Sequence, residues 1–103
     1  MEEKKVVFIA GVTNVPYYWK PFEQAEDDLR AEGFIPLSPS RLPHGLSDTR
    51  ARQLYMTLMQ SADAVLFLPG WHFSTYCQVE MSVCKYTGKP FATSIEELKE
   101  VLA

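Results

Sequence analysis

Short runs rich in apolar residues alternate with amphipathic helical patterns along the whole chain. The runs cover residues 6–10, 34–37, 64–68 and 89–93, and each is followed by residues spaced as in a helix. This alternation predicts an α/β fold, a four-stranded parallel sheet with helices on both faces. Because the chain has only 103 residues, we expect a single domain covering residues 1–103.

End signals mark the four predicted helices. Pro21 suits the first turn of a helix, and Gly33 and Gly88 suit the positions that follow one. Pro36 lies in the second run, which predicts an edge strand because proline cannot donate a ladder hydrogen bond. The predicted N-caps are Ser47 or Asp48, Ser74 or Thr75, and Ser94, the last with Glu97 in a capping box.

The charge is mildly negative and concentrated in the first predicted helix. Thirteen acidic and 10 basic residues give a net charge of -3, which disfavours a broad nucleic-acid footprint. A single phosphate is not excluded, since backbone N–H groups can hold one. The helix has one arginine and five acids, and we interpret their face as exposed to solvent: Glu23, Glu26, Asp27, Asp28, Glu32 and Arg30.

Cysteine and histidine usage predicts neither a disulfide framework nor a metal site. Cys77 and Cys84 lie seven residues apart, about 10 Å along one helix and beyond disulfide reach. With no CxxC pair and two histidines, the usual zinc spacings are absent, and no dinucleotide or P-loop motif occurs. We therefore predict no metal and no cofactor. No signal-peptide pattern or membrane-spanning stretch is found, which predicts a soluble cytoplasmic domain.

Parallel α/β sheets bind ligands outside the carboxyl ends of their strands, so three predicted loops are of interest. They cover residues 11–20, 38–46 and 70–75. Glu80 is the one acidic residue of the third predicted helix, which is apolar around most of its circumference. A carboxyl there loses water, which raises its pKa unless donors compensate. A structural glutamate and a catalytic one are both consistent with this pattern.

Ser74 and Gly11 each allow two interpretations. Ser74 opens the third helix, where its hydroxyl and free N–H groups suit a phosphate, although a plain N-cap has the same pattern. Gly11 follows the first strand, where glycine permits either a tight turn or close approach to a ligand. His44 and His72 lie in loops and can act as acids or bases, or simply be exposed.

Aromatic residues are frequent in two of the loops at this edge. Their rings can stack on a flat base or form a subunit interface, and the sequence leaves both open. The residues are Tyr17, Tyr18, Trp19, Trp71 and Phe73.

These pieces together resemble a known group. The strand ending in Gly11, the D-A-V strand that begins at Asp63, the P-G-W motif at residues 69–71 and the Ser74-x5-Glu80 spacing resemble the DUF4406 domains. That group is similar to the nucleoside 2-deoxyribosyltransferase superfamily, which includes 2'-deoxynucleoside 5'-phosphate N-hydrolases.

The resemblance implies a flavodoxin-like or Rossmann-like three-layer fold and a homo-oligomer in which a neighbour helps to complete the site. It also implies N-glycosidic bond cleavage, with Glu80 as the nucleophile and Ser74 as a phosphate contact. Substrate-binding residues expected from the first loop and from the P-G-W motif are Gly11, Asn14, Tyr17, Gly70 and Trp71.

Two positions depart from the family pattern. Tyr76 replaces a glycine between the serine and the glutamate, and its ring either blocks the pocket or turns into an interface. The active enzymes carry an aspartate in the helix before the D-A-V strand, whereas residues 53–56 contain no acid. Asp63 is expected at the opposite end of the strand.

Three functional hypotheses follow. The first is a nucleoside- or nucleotide-binding domain that hydrolyses the N-glycosidic bond of a (deoxy)nucleoside 5'-monophosphate. The second is a catalytically inactive module that binds nucleotides or other subunits. The third is a self-assembling domain whose aromatic loops serve only as interface.

Overall fold

A computed structural model describes residues 3–103. Strands and helices alternate throughout, as the hydrophobic pattern predicts. The elements are β1 (Val6–Ala10), α1 (Trp19–Ala31), β2 (Ile35–Leu37), α2 (Asp48–Ser61), β3 (Ala64–Phe67), α3 (Thr75–Thr87), β4 (Phe91–Ala92) and α4 (Ile95–Val101). Short 3₁₀ turns at Pro39–Arg41 and Trp71–Phe73 follow β2 and β3.

The four strands form one parallel sheet in the order β2-β1-β3-β4. In the central register Phe8 pairs with Val65, and β2 lies at an edge, as Pro36 predicts. The order reverses between β1 and β3, because the chain first adds β2 on one side and then β3 on the other. A crevice is expected outside the carboxyl ends at this reversal.

Two apolar clusters cover the two faces of the sheet, which confirms the α/β prediction. One joins α1 and α4 to side chains such as Ile9, and the other joins α2 and α3 to side chains such as Phe8. Alternate residues of β1 thus enter opposite clusters, and the strand is buried on both faces. The fold is consistent with a three-layer Rossmann-like arrangement.

The predicted helix ends are largely confirmed. The hydroxyls of Ser47, Ser74 and Ser94 accept hydrogen bonds from backbone N–H groups three residues ahead. Gly88 follows α3 with a positive φ. The first helix begins at Trp19, two residues before the predicted start. Pro21 is therefore the third residue of α1. Proline is tolerated in this first turn because the N–H groups of the first turn have no intrahelical partner.

The predicted solvent-exposed acidic face of α1 is wrong at Glu26. This side chain is only 2% exposed and accepts hydrogen bonds from Arg41, with one nitrogen–oxygen distance of 2.8 Å, and from Arg30 at 3.3 Å. Burial alone would raise its pKa, but the two guanidinium groups more than offset this and lower it. A buried carboxylate can remain charged when it is paired in this way.

Other structural expectations concern individual residues. Cys77 and Cys84 are buried and unbridged on one helix. Asp63 lies before β3, where its carboxylate accepts a hydrogen bond from the Val6 N–H at 2.8 Å. Within residues 3–103, no helix combines the length and the apolar character needed to cross a membrane.

Candidate functional site

A cavity of about 720 Å³ lies at the carboxyl ends of the strands, as the topology predicts. Its walls come from the loops after β1, β2 and β3 and from the N-terminal turns of α2 and α3, as far as Met56 and Glu80. The polar and aromatic side chains in the lining are Thr13, Asn14, Tyr18, His44, Asp48, Arg52, Tyr55, Phe73, Ser74, Thr75, Tyr76 and Glu80.

Glu80 is the most unusual polar group in this lining. It is 4% exposed, and its Oε2 atom is buried with no hydrogen-bond partner in the described structure. Burial raises the pKa of this carboxyl to about 8, although the Cys77 thiol partly counteracts the shift. Since buried polar atoms are normally paired, the unpartnered oxygen leaves a position for a ligand atom or a water molecule.

Ser74 and Cys77 lie at the start of α3, six and three residues before Glu80. The Ser74 hydroxyl accepts a hydrogen bond from the Cys77 N–H at 3.3 Å and so caps the helix. Burial raises the pKa of the Cys77 thiol to about 11, so this group stays protonated at neutral pH. The thiol is therefore a weak donor toward Glu80 rather than a nucleophile.

Two tyrosines and an arginine pack together within the wall contributed by α2 and α3. The rings of Tyr55 and Tyr76 pack edge to face with centroids 5.7 Å apart. The guanidinium carbon of Arg52 lies 5.5 Å from the centroid of the Tyr76 ring. Tyr76 thus packs against α2, and the cavity remains open with both Ser74 and Glu80 in its lining.

The structure brings only some of the sequence-predicted site residues together. Asn14, Ser74 and Glu80 line the same cavity, which joins the first loop to the start of α3. Tyr17 lies outside the lining, has a positive φ of 57° and is 62% exposed. The four that lie outside the lining are Gly11, Tyr17, Gly70 and Trp71.

Packing accounts for Gly11 and Trp71, and backbone conformation accounts for Gly70. A Cβ atom on Gly11 would lie 3.1 Å from side-chain atoms of both Leu68 and Phe22, so this glycine permits close packing of β1 on its neighbours. Gly70 has a φ of 85°, which favours glycine. Trp71 packs on Phe67 with ring centroids 5.2 Å apart and joins the α2–α3 side of the core.

Of the aromatic residues in these loops, some line the cavity and others lie outside its lining. Tyr18 and Phe73 line the cavity, whereas Trp19 is 40% exposed and outside its lining. Exposed rings also continue along α3, where Tyr86 is 93% exposed. Base stacking and subunit contact both remain predictions. In the described part of the chain, no three His, Cys, Asp or Glu side chains are grouped so that they could hold a metal ion.

The sequence was also compared with known families. The model of a family described as a domain of unknown function (DUF4406) matches residues 5–93. The chain belongs to the DUF4406 family. A search of curated proteins gave no match. The matched span of this DUF4406 domain contains every residue that lines the cavity, so the cavity is built entirely from the family region.

Several lining residues of this DUF4406 domain were not singled out as site residues. Asp48, Arg52 and Tyr55 lie on the side of α2 that lines the cavity. Their spacing predicts a helix, but it does not predict which side of that helix faces the cavity. Thr13 lies in a loop with no distinctive local pattern. The i, i+4, i+7 spacing of Asp48, Arg52 and Tyr55 is a signal that could have grouped them.

Proposed function

We propose that this domain binds a nucleoside 5'-monophosphate in the cavity and hydrolyses its N-glycosidic bond, with Glu80 as the nucleophile. The observation that carries the proposal is the buried carboxyl of Glu80, whose Oε2 atom has no partner and which lines a cavity of about 720 Å³. That volume falls in the range of pockets for ligands of this size. The resemblance to the nucleoside 2-deoxyribosyltransferase superfamily supplies the substrate class.

In this mechanism the ionised Glu80 oxygen bonds to the anomeric carbon as the bond from carbon to base nitrogen breaks. The base leaves with the electron pair of that bond and takes up a proton. Solvent water supplies this proton. Water then attacks the anomeric carbon and loses a proton to the solvent, while the bond from that carbon to the Glu80 oxygen breaks. This step releases the sugar phosphate and restores the carboxylate.

Ser74 contributes at the other end of the substrate. It caps α3, whose first turn presents backbone N–H groups and the positive end of the helix dipole. A phosphate bound at this helix start would share a cavity wall with Glu80, which lies six residues after Ser74. This is the role that the resemblance implies for the serine.

A second function is favoured by one specific observation. A carboxyl with a pKa of about 8 is mostly protonated at neutral pH, so Glu80 can donate a hydrogen bond to a bound nucleotide without attacking it. Tyr76 also stands where the enzymes that the chain resembles have a glycine, and residues 53–56 lack the aspartate of those enzymes. In this alternative the domain binds nucleotides without catalysis.

A thermal-shift screen of nucleosides and their 5'-monophosphates, followed by a base-release assay on each hit, tests both functions. Glu80→Gln should lower base release by roughly 10²–10⁴-fold, because the amide cannot form the glycosyl ester. Glu100→Gln is the matched control, since Glu100 is exposed on α4 and outside the cavity.

The outcomes separate the hypotheses. Base release that Glu80→Gln leaves unchanged contradicts the hydrolase proposal. Nucleotides that raise the melting temperature but lose no base support the binding module. If no nucleotide changes the melting temperature at millimolar concentration, both are wrong and a self-assembling domain remains. Analytical ultracentrifugation of the full chain tests the predicted homo-oligomer.

A further inference from the structure

Arg52 lies in the second turn of α2 and lines the cavity. Its guanidinium carbon is 5.5 Å from the centroid of the Tyr76 ring, within the range of a cation–π contact. Tyr76 is in turn packed edge to face by Tyr55. The arginine head group therefore lies against a ring that is itself held in the cavity wall by Tyr55.

The guanidinium N–H groups of Arg52 have no protein acceptor among residues 3–103, and the side chain is exposed. The ion pairs of the described structure use Arg30, Arg41 and Lys99, and the Arg52 side chain forms no hydrogen bond to the protein. Asp48 lies four residues earlier on the same helix, at a spacing that permits an ion pair, yet the two are not paired. The guanidinium lies against Tyr76 instead, with its donors available to a ligand.

A second, independent observation indicates a ligand in the same cavity. The Oε2 atom of Glu80 is buried and unpartnered, and the residue is 96% removed from solvent. The lining thus carries a cation with free donors on α2 and a buried polar atom without a partner on α3. A ligand that satisfies both has an anionic group at one end and a polar group at the other.

We propose that Arg52 binds the phosphate of the ligand and makes the cavity selective for nucleoside 5'-monophosphates over nucleosides. The planar guanidinium can donate two parallel hydrogen bonds to phosphate oxygens while one face rests on an aromatic ring. Arg52 supplies the positive charge that the neutral Ser74 hydroxyl lacks. This inference rests on the proposed function, because the nucleoside part of the ligand comes from it.

The test compares Arg52→Gln with Arg50→Gln, a matched control on the same helix. Arg50 is exposed and outside the cavity lining, so its loss removes the same charge without touching the site. Dissociation constants are measured by calorimetry for the four 2'-deoxynucleoside 5'-monophosphates and for the matching nucleosides. The dissociation constant of the nucleoside divided by that of its 5'-monophosphate measures the selectivity for the phosphate.

Arg52→Gln should reduce this ratio by roughly tenfold to a hundredfold, the usual range for charge-assisted hydrogen bonds. The nucleoside constants should stay within about twofold of the wild type, and Arg50→Gln should leave the ratio unchanged. An unchanged ratio in Arg52→Gln overturns the inference, even if the protein binds nucleotides and releases their bases.

Inorganic phosphate alone separates this inference from the proposed function. The melting temperature is measured in phosphate and in chloride at equal ionic strength. Suppose that nucleotides do not bind, and that phosphate stabilises the wild type and Arg50→Gln but not Arg52→Gln. That result supports an anion site at Arg52 and contradicts the nucleotide function. If phosphate stabilises all three equally, or none, Arg52 is not an anion-binding residue.

Discussion

At the residue scale, Glu80 combines two properties that conflict in a stable protein. Its carboxyl is buried among apolar neighbours on α3, and one oxygen makes no hydrogen bond in the described structure. Burial raises its pKa from 4.5 to about 8, so the folded protein holds the proton more tightly than the unfolded chain does. Strongly shifted groups in cavities are often functional, which is why the proposal centres on this residue.

The same shift makes a prediction for stability. Because the folded-state pKa is raised, the free energy of unfolding should be highest below pH 4.5 with respect to this group and should fall as the pH rises toward about 8. Glu80→Gln removes the titration. Relative to the wild type, this variant should gain roughly 2–5 kcal/mol between pH 4.5 and pH 8.

Urea denaturation at several pH values measures this difference, with Glu100→Gln as the control that keeps the titration. Stability curves for the wild type and Glu80→Gln that run parallel across this pH range would contradict the buried, proton-binding carboxyl.

Two predictions at this scale used evidence from one segment of the chain. Ser74 opens the third helix and Glu80 is its one acidic residue; both line the cavity, and their roles stay predictions. Arg52 was missed because its importance depends on Tyr76, 24 positions later, and on how α2 packs against α3. Trp71 was expected to line the ligand site, but only the fold shows that its ring packs on Phe67.

At the element scale, periodicity and end signals predicted all four strands and all four helices. They did so because each element carries its own apolar pattern, and three of the helices of the described structure also have a serine cap, as with Ser94 at the start of α4. The burial of Glu26 was not predictable in this way. Its partner Arg41 lies 15 residues away in the 3₁₀ turn after β2, and no periodic rule connects a helix to a later loop.

The Glu26–Arg41 pair should stabilise the connection between α1 and the segment after β2. Glu26→Gln should lower the free energy of unfolding by about 1–3 kcal/mol, because hydrogen bonds to a charged acceptor are lost. Because the pKa of Glu26 is lower in the folded protein than in the unfolded chain, this stabilisation should be present above pH 4.5. It should be lost as the pH falls below that value and the carboxylate is protonated.

Glu23→Gln is the control, since Glu23 is exposed on the same helix. Denaturation in urea at pH 7 and at pH 3 provides the comparison. Equal stability of the Glu26 and Glu23 variants at pH 7 would show that the buried ion pair contributes nothing.

At the scale of the whole molecule, the sheet order explains where the cavity lies. The loops after β1, β2 and β3 meet at the same edge, and each contributes lining residues. The net charge of -3 says little about this site, because acids of α1 account for most of it. The charged lining residues are instead Asp48, Arg52 and the titrating Glu80.

The central claim is that Glu80 attacks as a carboxylate, and the pH dependence of kcat/KM for base release tests it most directly. With a pKa of about 8, roughly one tenth of the carboxyl groups are ionised at pH 7. The account predicts a roughly fivefold to tenfold rise between pH 7 and pH 9, with half the maximal rate near pH 8. A kcat/KM that is flat or falls over this range would contradict it, because the protonated acid, not the nucleophile, would then be the working form.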